Sequence, residues 1–275
     1  MNNLTPATDL PINAILAKTG LFLSGPTLMI CVFLLGFFLL DSKAYSKALM
    51  LLLFTLVYNL FLKSIWQIPL KPPLEGWAFP SGHMHAAWVF WGWLAWHYKS
   101  GITSLLFVVV MLLSGYGLLY HDFHDLKDIL GSVGFGSLTI FLFHWLNRIP
   151  LFKGNIFVIN VLVGCFALLF LFMIPMPAQA KSFIWIASGA LMGMAMGWLV
   201  LMPYKESLKP HHNLIIGLVC VIGMIGIHVS FSHLFPNIAP QNFYFAKTFI
   251  LMLWVMSSKR LLNPICIRIG AFVQR

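Results

Sequence analysis

A chain of 275 residues with 60% hydrophobic and 9% charged residues is no ordinary soluble domain, whose surface brings charged residues to about a quarter of the total. Its net charge of +10 does not read as a nucleic-acid surface, because the lysines and arginines stand singly in short segments and form no basic stripe. The composition predicts an all-α, polytopic membrane protein in which positive charge sets topology.

Spanning a bilayer takes about 20 predominantly apolar residues per helix, and about nine such segments are predicted. Residues 1–20 lack a basic stretch followed by a short apolar core and cleavage site, so no signal peptide is expected and the first span, 21–40, stays in the protein. A polar turn at 41–47 leads to the second span, 48–62. Residues 63–82 follow as the first long irregular stretch, since Pro69, Pro72, Pro73 and Pro80 forbid a continuous helix. The third span, 83–96, carries Trp88, Trp91, Trp93 and Trp96, expected at the interface and packed within the bundle. The fourth and fifth are predicted at 102–120 and 129–146, and together they complete a five-span core over 1–147. The C-terminal region, 148–275, holds four more at 156–174, 183–202, 214–230 and 244–256. Within it Met192-Gly193-Met194-Ala195-Met196-Gly197 spaces small residues for close helix packing.

With nine crossings the two ends lie on opposite sides. The segments after odd-numbered spans, with the C-terminus, hold 11 of the lysines and arginines, and the remaining segments hold 6. The first set is therefore expected in the cytoplasm. Residues 63–82 and 121–128 then share the outer face, where they can meet.

Polar chemistry concentrates in these two loops. Ala78-Phe79-Pro80-Ser81-Gly82-His83 stands where a helix begins; serine is a good cap, glycine admits a ligand to the backbone, and the free N–H groups of a helix start bind phosphate. In Tyr120-His121-Asp122-Phe123-His124-Asp125-Leu126-Lys127-Asp128, His124 and Asp128 are four apart and share a face if the segment is helical. A carboxylate so placed holds one imidazole nitrogen and frees the other as nucleophile or base. His121 and Asp125 repeat the spacing, so the residues alone leave two registers open.

Phe79-Pro80-Ser81-Gly82-His83, and His124-Asp125-Leu126-Lys127-Asp128 with Ile129-Leu130-Gly131, resemble the second and third motifs of the type 2 phosphatidic acid phosphatase superfamily. Its members are integral membrane, metal-independent lipid phosphatases and phosphotransferases. The resemblance covers 63–131. It implies that His124 attacks phosphorus to form a phosphohistidine, that Asp128 orients it, and that His83 protonates the leaving oxygen. Ser81 and the Gly82 backbone would hold phosphate oxygens, with Lys63 and Lys71 as substrate-binding cations. No metal or other cofactor is implied.

The chain also departs from the pattern. The arginine expected six residues before the catalytic histidine is Leu118, preceded by Gly117 where serine is usual. The His121 register recovers Ser114 but puts Gly115 at the arginine position. In the first motif Lys63 is followed by Lys71-Pro72 at a spacing of eight, with lysine in place of arginine. Lysine is a point charge without the bidentate fork; Lys127, His85 and His121 are candidates to supply the missing charge.

Elsewhere, His97 and His144 read as interfacial or packed side chains. His211 and His212 beside Lys205 and Lys209 fit a basic loop against anionic headgroups. His228 falls within an apolar span, where a polar group usually finds a hydrogen bond in the bundle. Cys31, Cys165, Cys220 and Cys266 are too scattered to imply disulfides or a metal cluster.

The leading expectation is a membrane lipid phosphatase acting on a phosphatidate-like phosphomonoester or a polyprenyl diphosphate, undecaprenyl diphosphate above all. The membrane lipid substrate is its expected partner, with the active site outside a bacterial inner membrane and the C-terminus in the cytoplasm. Three alternatives stay open: a lipid phosphotransferase, a metal-dependent membrane hydrolase using His83, His85, His121 and His124, and a catalytically degenerate protein that binds or transports phospholipid. Sequence says nothing of oligomeric state.

Overall fold

The computed structural model describes residues 11–150, 152, 155–173, 178–201, 210–235 and 239–273. The segment with Lys205 and Lys209, the side chains of His211 and Cys266, and the first ten residues lie outside this set. Ten helices follow one another: α1 Pro11–Leu23, α2 Pro26–Leu39, α3 Ser42–Trp66, α4 Gly82–Tyr98, α5 Gly101–Tyr120, α6 Leu126–Leu146, α7 Ile156–Met173, α8 Ala178–Leu201, α9 Pro210–Leu234 and α10 Pro240–Val273. No strand occurs among the described residues, only an isolated bridge between Pro69 and Trp77. The chain is an all-helical membrane protein.

Local chemistry sets the helix limits. Asp41 starts α3 by accepting hydrogen bonds from the Lys43 and Ala44 N–H groups at 2.9 and 3.0 Å; Ser100 does the same for α5 through Thr103. Helices α3 and α4 stop where Gln67 and Lys99 turn left-handed at φ 47° and 49°, a conformation that ends a helix. Because α3 runs on to Trp66, the irregular loop is 67–81 and Lys63 stands in its last helical turn rather than in the loop.

Eight of the nine predicted spans coincide with a helix each, whereas the first straddles α1 and α2, bent by 53°. The break falls at Ser24 and Gly25, where Pro26 cannot donate a backbone hydrogen bond. Among the described residues five helical segments qualify as crossings by length and composition, Ser42–Trp66, Gly101–Tyr120, Leu126–Leu146, Ser182–Leu199 and His212–Leu234, and the bent pair makes six. The arrangement of nine crossings is thus not established by the helices themselves.

Helix α4 is the hub of the first half, packing on α3, α5 and α6, while α1 lies along α5. In the second half α8 packs on α7 and α10, and α9 on α10 and α2. Since α3 also packs on α7 and α8, residues from both sides of position 147 enter one buried apolar cluster that includes Phe33, Phe37, Met50, Phe90, Leu191 and Met256. Side chains such as Ile102, Leu112 and Ile222 stay exposed, as suits a lipid-facing surface.

Candidate functional site

The two motif loops meet at one end of the bundle. Ser81 donates its N–H to the Asp128 carbonyl at 3.2 Å, and the Ser132 hydroxyl lies 2.8 Å from the Ser81 carbonyl and 2.7 Å from that of Asp128. Helix α6 approaches closely because Gly131 has no side chain: a Cβ there would stand 2.3 Å from the Phe79 ring. The residue following Phe79 begins the Pro80-Ser81-Gly82 turn, so this contact seats the loop against α6.

His124 and Asp128 come together without a helix joining them throughout. Asp125 caps α6, which places His124 just before the helix and Asp128 in its first turn. The Asp128 Oδ2 accepts the Asp125 N–H at 3.0 Å and lies 3.3 Å from His124 Nδ1. Asp128 is 1% exposed and His124 9%. The carboxylate is an acceptor, so it fixes the imidazole tautomer with the proton on Nδ1, and leaves Nε2 with a lone pair. Burial, then the positive charge of Lys63, hold the His124 pKa below its ordinary value, against the pull of Asp128. The imidazole is therefore a neutral potential nucleophile at physiological pH. Of the two possible registers, this pair is the one in contact; His121 instead stacks on Phe123 with centroids 5.4 Å apart.

Ser81 is the residue before α4, yet its side chain makes no capping hydrogen bond. Its hydroxyl is buried with no partner, as is the second carboxylate oxygen of Asp128. Leaving such atoms unpaired costs about 1–3 kcal/mol each; the Ser81 hydroxyl can donate to an anion, whereas the Asp128 oxygen can only accept. The first N–H groups of α4 lack intrahelical acceptors as well. His83 stands in the opening turn of α4, on its exposed side. Lys63 lies within range of the charges of His83, His124 and Asp128, and His83 within range of His124.

The two candidate cations differ in circumstance. Lys63 is half-buried, and its ammonium donates to the Trp77 carbonyl. Lys71 is bound by Asp122 at 2.5 Å and Asp125 at 2.7 Å; these hydrogen bonds raise its pKa and push that of Asp125 down. Lys71 thus latches loop 67–81 to the turn before α6, and much of its charge is met by carboxylates. It still borders, with Phe123, His124 and Asp128, a cavity of about 30 Å³, room for roughly two waters. The cavity must widen to admit a phosphate group.

Leu118, at the position of the expected arginine, is fully buried in the apolar cluster. None of the three proposed substitutes occupies its role plainly. Lys127 lies 3.5 Å from Asp125 and is exposed; His85 is completely buried with Nδ1 3.2 Å from Asn59; the Nε2 of His121 is buried without a partner. Sequence reasoning missed Asn59 and Ser132. Polar side chains inside apolar spans are the signal that marks them.

The remaining histidines divide. His97 lies 3.4 Å from Asp41 and His144 packs on Trp96, as an interfacial reading predicts. His228 does not enter the bundle: it is exposed, on a helix whose main packing among the described residues is on α10 and α2. Cys31, Cys165 and Cys220 are free thiols. Among the described residues no three His, Cys, Asp or Glu side chains are grouped to hold a metal ion. No protein-family model, curated protein or solved structure matches the chain.

Proposed function

We propose that this protein is a membrane lipid phosphatase that works through a phosphohistidine on His124. The observation that carries the reading is the buried His124–Asp128 pair at 3.3 Å, next to an α4 start whose Ser81 hydroxyl has no partner. In this scheme Nε2 of His124 attacks phosphorus, and the bond from phosphorus to the leaving oxygen breaks as His83 gives that oxygen a proton. Water then surrenders a proton to His83 and attacks the phosphohistidine; the P–N bond breaks and inorganic phosphate leaves. Ser81, the Gly82 amide and Lys63 hold the phosphate oxygens, and such preorganised donors are worth about 2.7–4 kcal/mol each in a transition state. The resemblance to the type 2 phosphatidic acid phosphatases supports the same assignment, with Lys63 taking the larger share of the lost arginine's role.

The substrate in this proposal is a phosphatidate-like phosphomonoester or a polyprenyl diphosphate, taken from the outer face of a bacterial inner membrane. If the nine apolar runs all cross, the distribution of lysine and arginine supports a cytoplasmic C-terminus. The test is phosphate release by purified protein from phosphatidate, phosphatidylglycerophosphate and undecaprenyl diphosphate, with and without a chelator. Release from at least one, insensitive to the chelator and abolished by His124→Ala, is expected. Release that depends on a divalent ion contradicts the phosphohistidine scheme.

One observation favours a second reading, phospholipid binding or transport without turnover: Leu118 fills the arginine position with a fully buried apolar side chain. Phosphatidate binding without release of phosphate from any substrate would select it.

A further inference from the structure

We propose that Asn59 and Ser132 are positioning residues that set the phosphate cradle, an inference that rests on the phosphatase reading and adds two residues outside its motifs. Both are buried polar side chains on apolar helices, Asn59 5% exposed on α3 and Ser132 fully buried on α6. Each is spent on a carbonyl of the same short turn. Asn59 Nδ2 donates to the Pro80 carbonyl at 3.2 Å. The Ser132 hydroxyl reaches the Ser81 carbonyl at 2.8 Å and shares its proton with that of Asp128 at 2.7 Å.

The C=O and N–H of one trans peptide point in opposed directions: with the Pro80 carbonyl held by α3, the Ser81 N–H is directed to the Asp128 carbonyl, and with the Ser81 carbonyl held by Ser132 of α6, the Gly82 N–H faces away from α6. The same turn carries the buried, unpartnered Ser81 hydroxyl, a second donor for an anion. A phosphate is repelled by carbonyl oxygens and attracted by amides, which makes the direction of this turn decide whether the helix start is a cradle. Ser132 does a second thing: by touching the Asp128 carbonyl as well, it fixes the spacing between the cradle and the carboxylate that orients His124.

The tautomer of His85 completes the arrangement. The atom of Asn59 facing the acceptor-only Pro80 carbonyl must be the amide nitrogen, and its other hydrogen faces His85 Nδ1 at 3.2 Å. His85 therefore accepts there and carries its proton on Nε2, which is buried without a partner. Completely buried and packed edge-on to Tyr58, it holds the Asn59 amide from behind. No free donor remains on Asn59 for any role at the phosphate itself.

The test uses isosteric and conservative variants in full-length protein. Asn59→Asp keeps the shape but removes both N–H donors; Ser132→Ala removes the hydroxyl and Ser132→Thr restores it. Orthovanadate affinity is measured directly by calorimetry, and kcat and KM with the best lipid. Asn59→Asp and Ser132→Ala are expected to weaken orthovanadate binding and lower kcat by on the order of 10-fold or more, with KM for lipid little changed and Ser132→Thr close to wild type. If Ser132→Ala does not fold, Asn59→Asp with the Ser132→Thr control decides. Orthovanadate bound by wild type and equally by the variants overturns this inference alone. Failure of wild type to bind orthovanadate overturns the phosphatase reading, and this inference falls with it.

Discussion

At the scale of single residues, the chemistry of the proposed phosphatase turns on the charge state of His124. Burial and the Lys63 ammonium favour its neutral form, and only that form attacks phosphorus. As pH falls the nucleophile survives until its lowered pKa is reached, so the acid limb of the pH–rate profile should lie below about 6.5, the value of an unperturbed histidine. Lys63→Gln removes a positive charge, which lets His124 protonate more easily. Its acid limb should move to higher pH, along with a fall in kcat. A limb that stays in place would show that Lys63 does not face the histidine. Leu118→Arg, which installs the arginine of the motif that this stretch resembles, is expected to fail for a physical reason: position 118 is fully buried among apolar side chains. An unpaired buried charge costs on the order of 3–5 kcal/mol, so the thermal midpoint should drop and phosphate release should not rise.

How far the site is legible in sequence follows from these residues. Ser81, His83, His124 and Asp128 are readable because charged and hydrogen-bonding groups are scarce in an apolar chain, and two loops concentrate them. The separate fates of Lys63 and Lys71 are not readable, since no rule of spacing reveals that Asp122 and Asp125 close on Lys71 at 2.5 and 2.7 Å. Asn59 and Ser132 sit inside apolar runs, where sequence position alone does not tell which carbonyl they meet.

At the scale of elements, small residues decide which helices touch. On α8, Gly189 and Gly193 face the Phe245 and Phe249 carbonyls of α10, and a Cβ at either would stand 2.3 Å away; Gly197 meets Met256 in the same line. The close packing expected from the Met192–Gly197 pattern is thus directed at α10. Gly193→Ala should force the backbones apart and cost about 1–3 kcal/mol, as overpacking does. Its thermal midpoint should fall while phosphate release per folded molecule stays at the wild-type level, because the pair is remote from the motif loops. The helices themselves were legible from apolar run length. The α1–α2 break was not, because Ser24-Gly25-Pro26 interrupts a run whose hydropathy continues on both sides.

At the scale of the whole molecule, contact between Lys71 and Asp122 puts loops 67–81 and 121–125 at the same end of the bundle. In the proposed topology that end lies outside. A cysteine at exposed Glu75 should react with a membrane-impermeant maleimide in intact cells, while one at exposed Arg148 should react only after permeabilisation, both against a background without the native cysteines. The reverse pattern would turn the site to the cytoplasm and change the lipid pool it meets. The central claim, a covalent phosphohistidine, is tested most directly by mixing purified protein briefly with lipid labelled in its phosphate and quenching in alkali. The account predicts labelled protein whose phosphate is stable to base and lost in acid, present in wild type and absent from His124→Ala. Phosphate released at the wild-type rate by His124→Ala, or label retained by that variant, would contradict it.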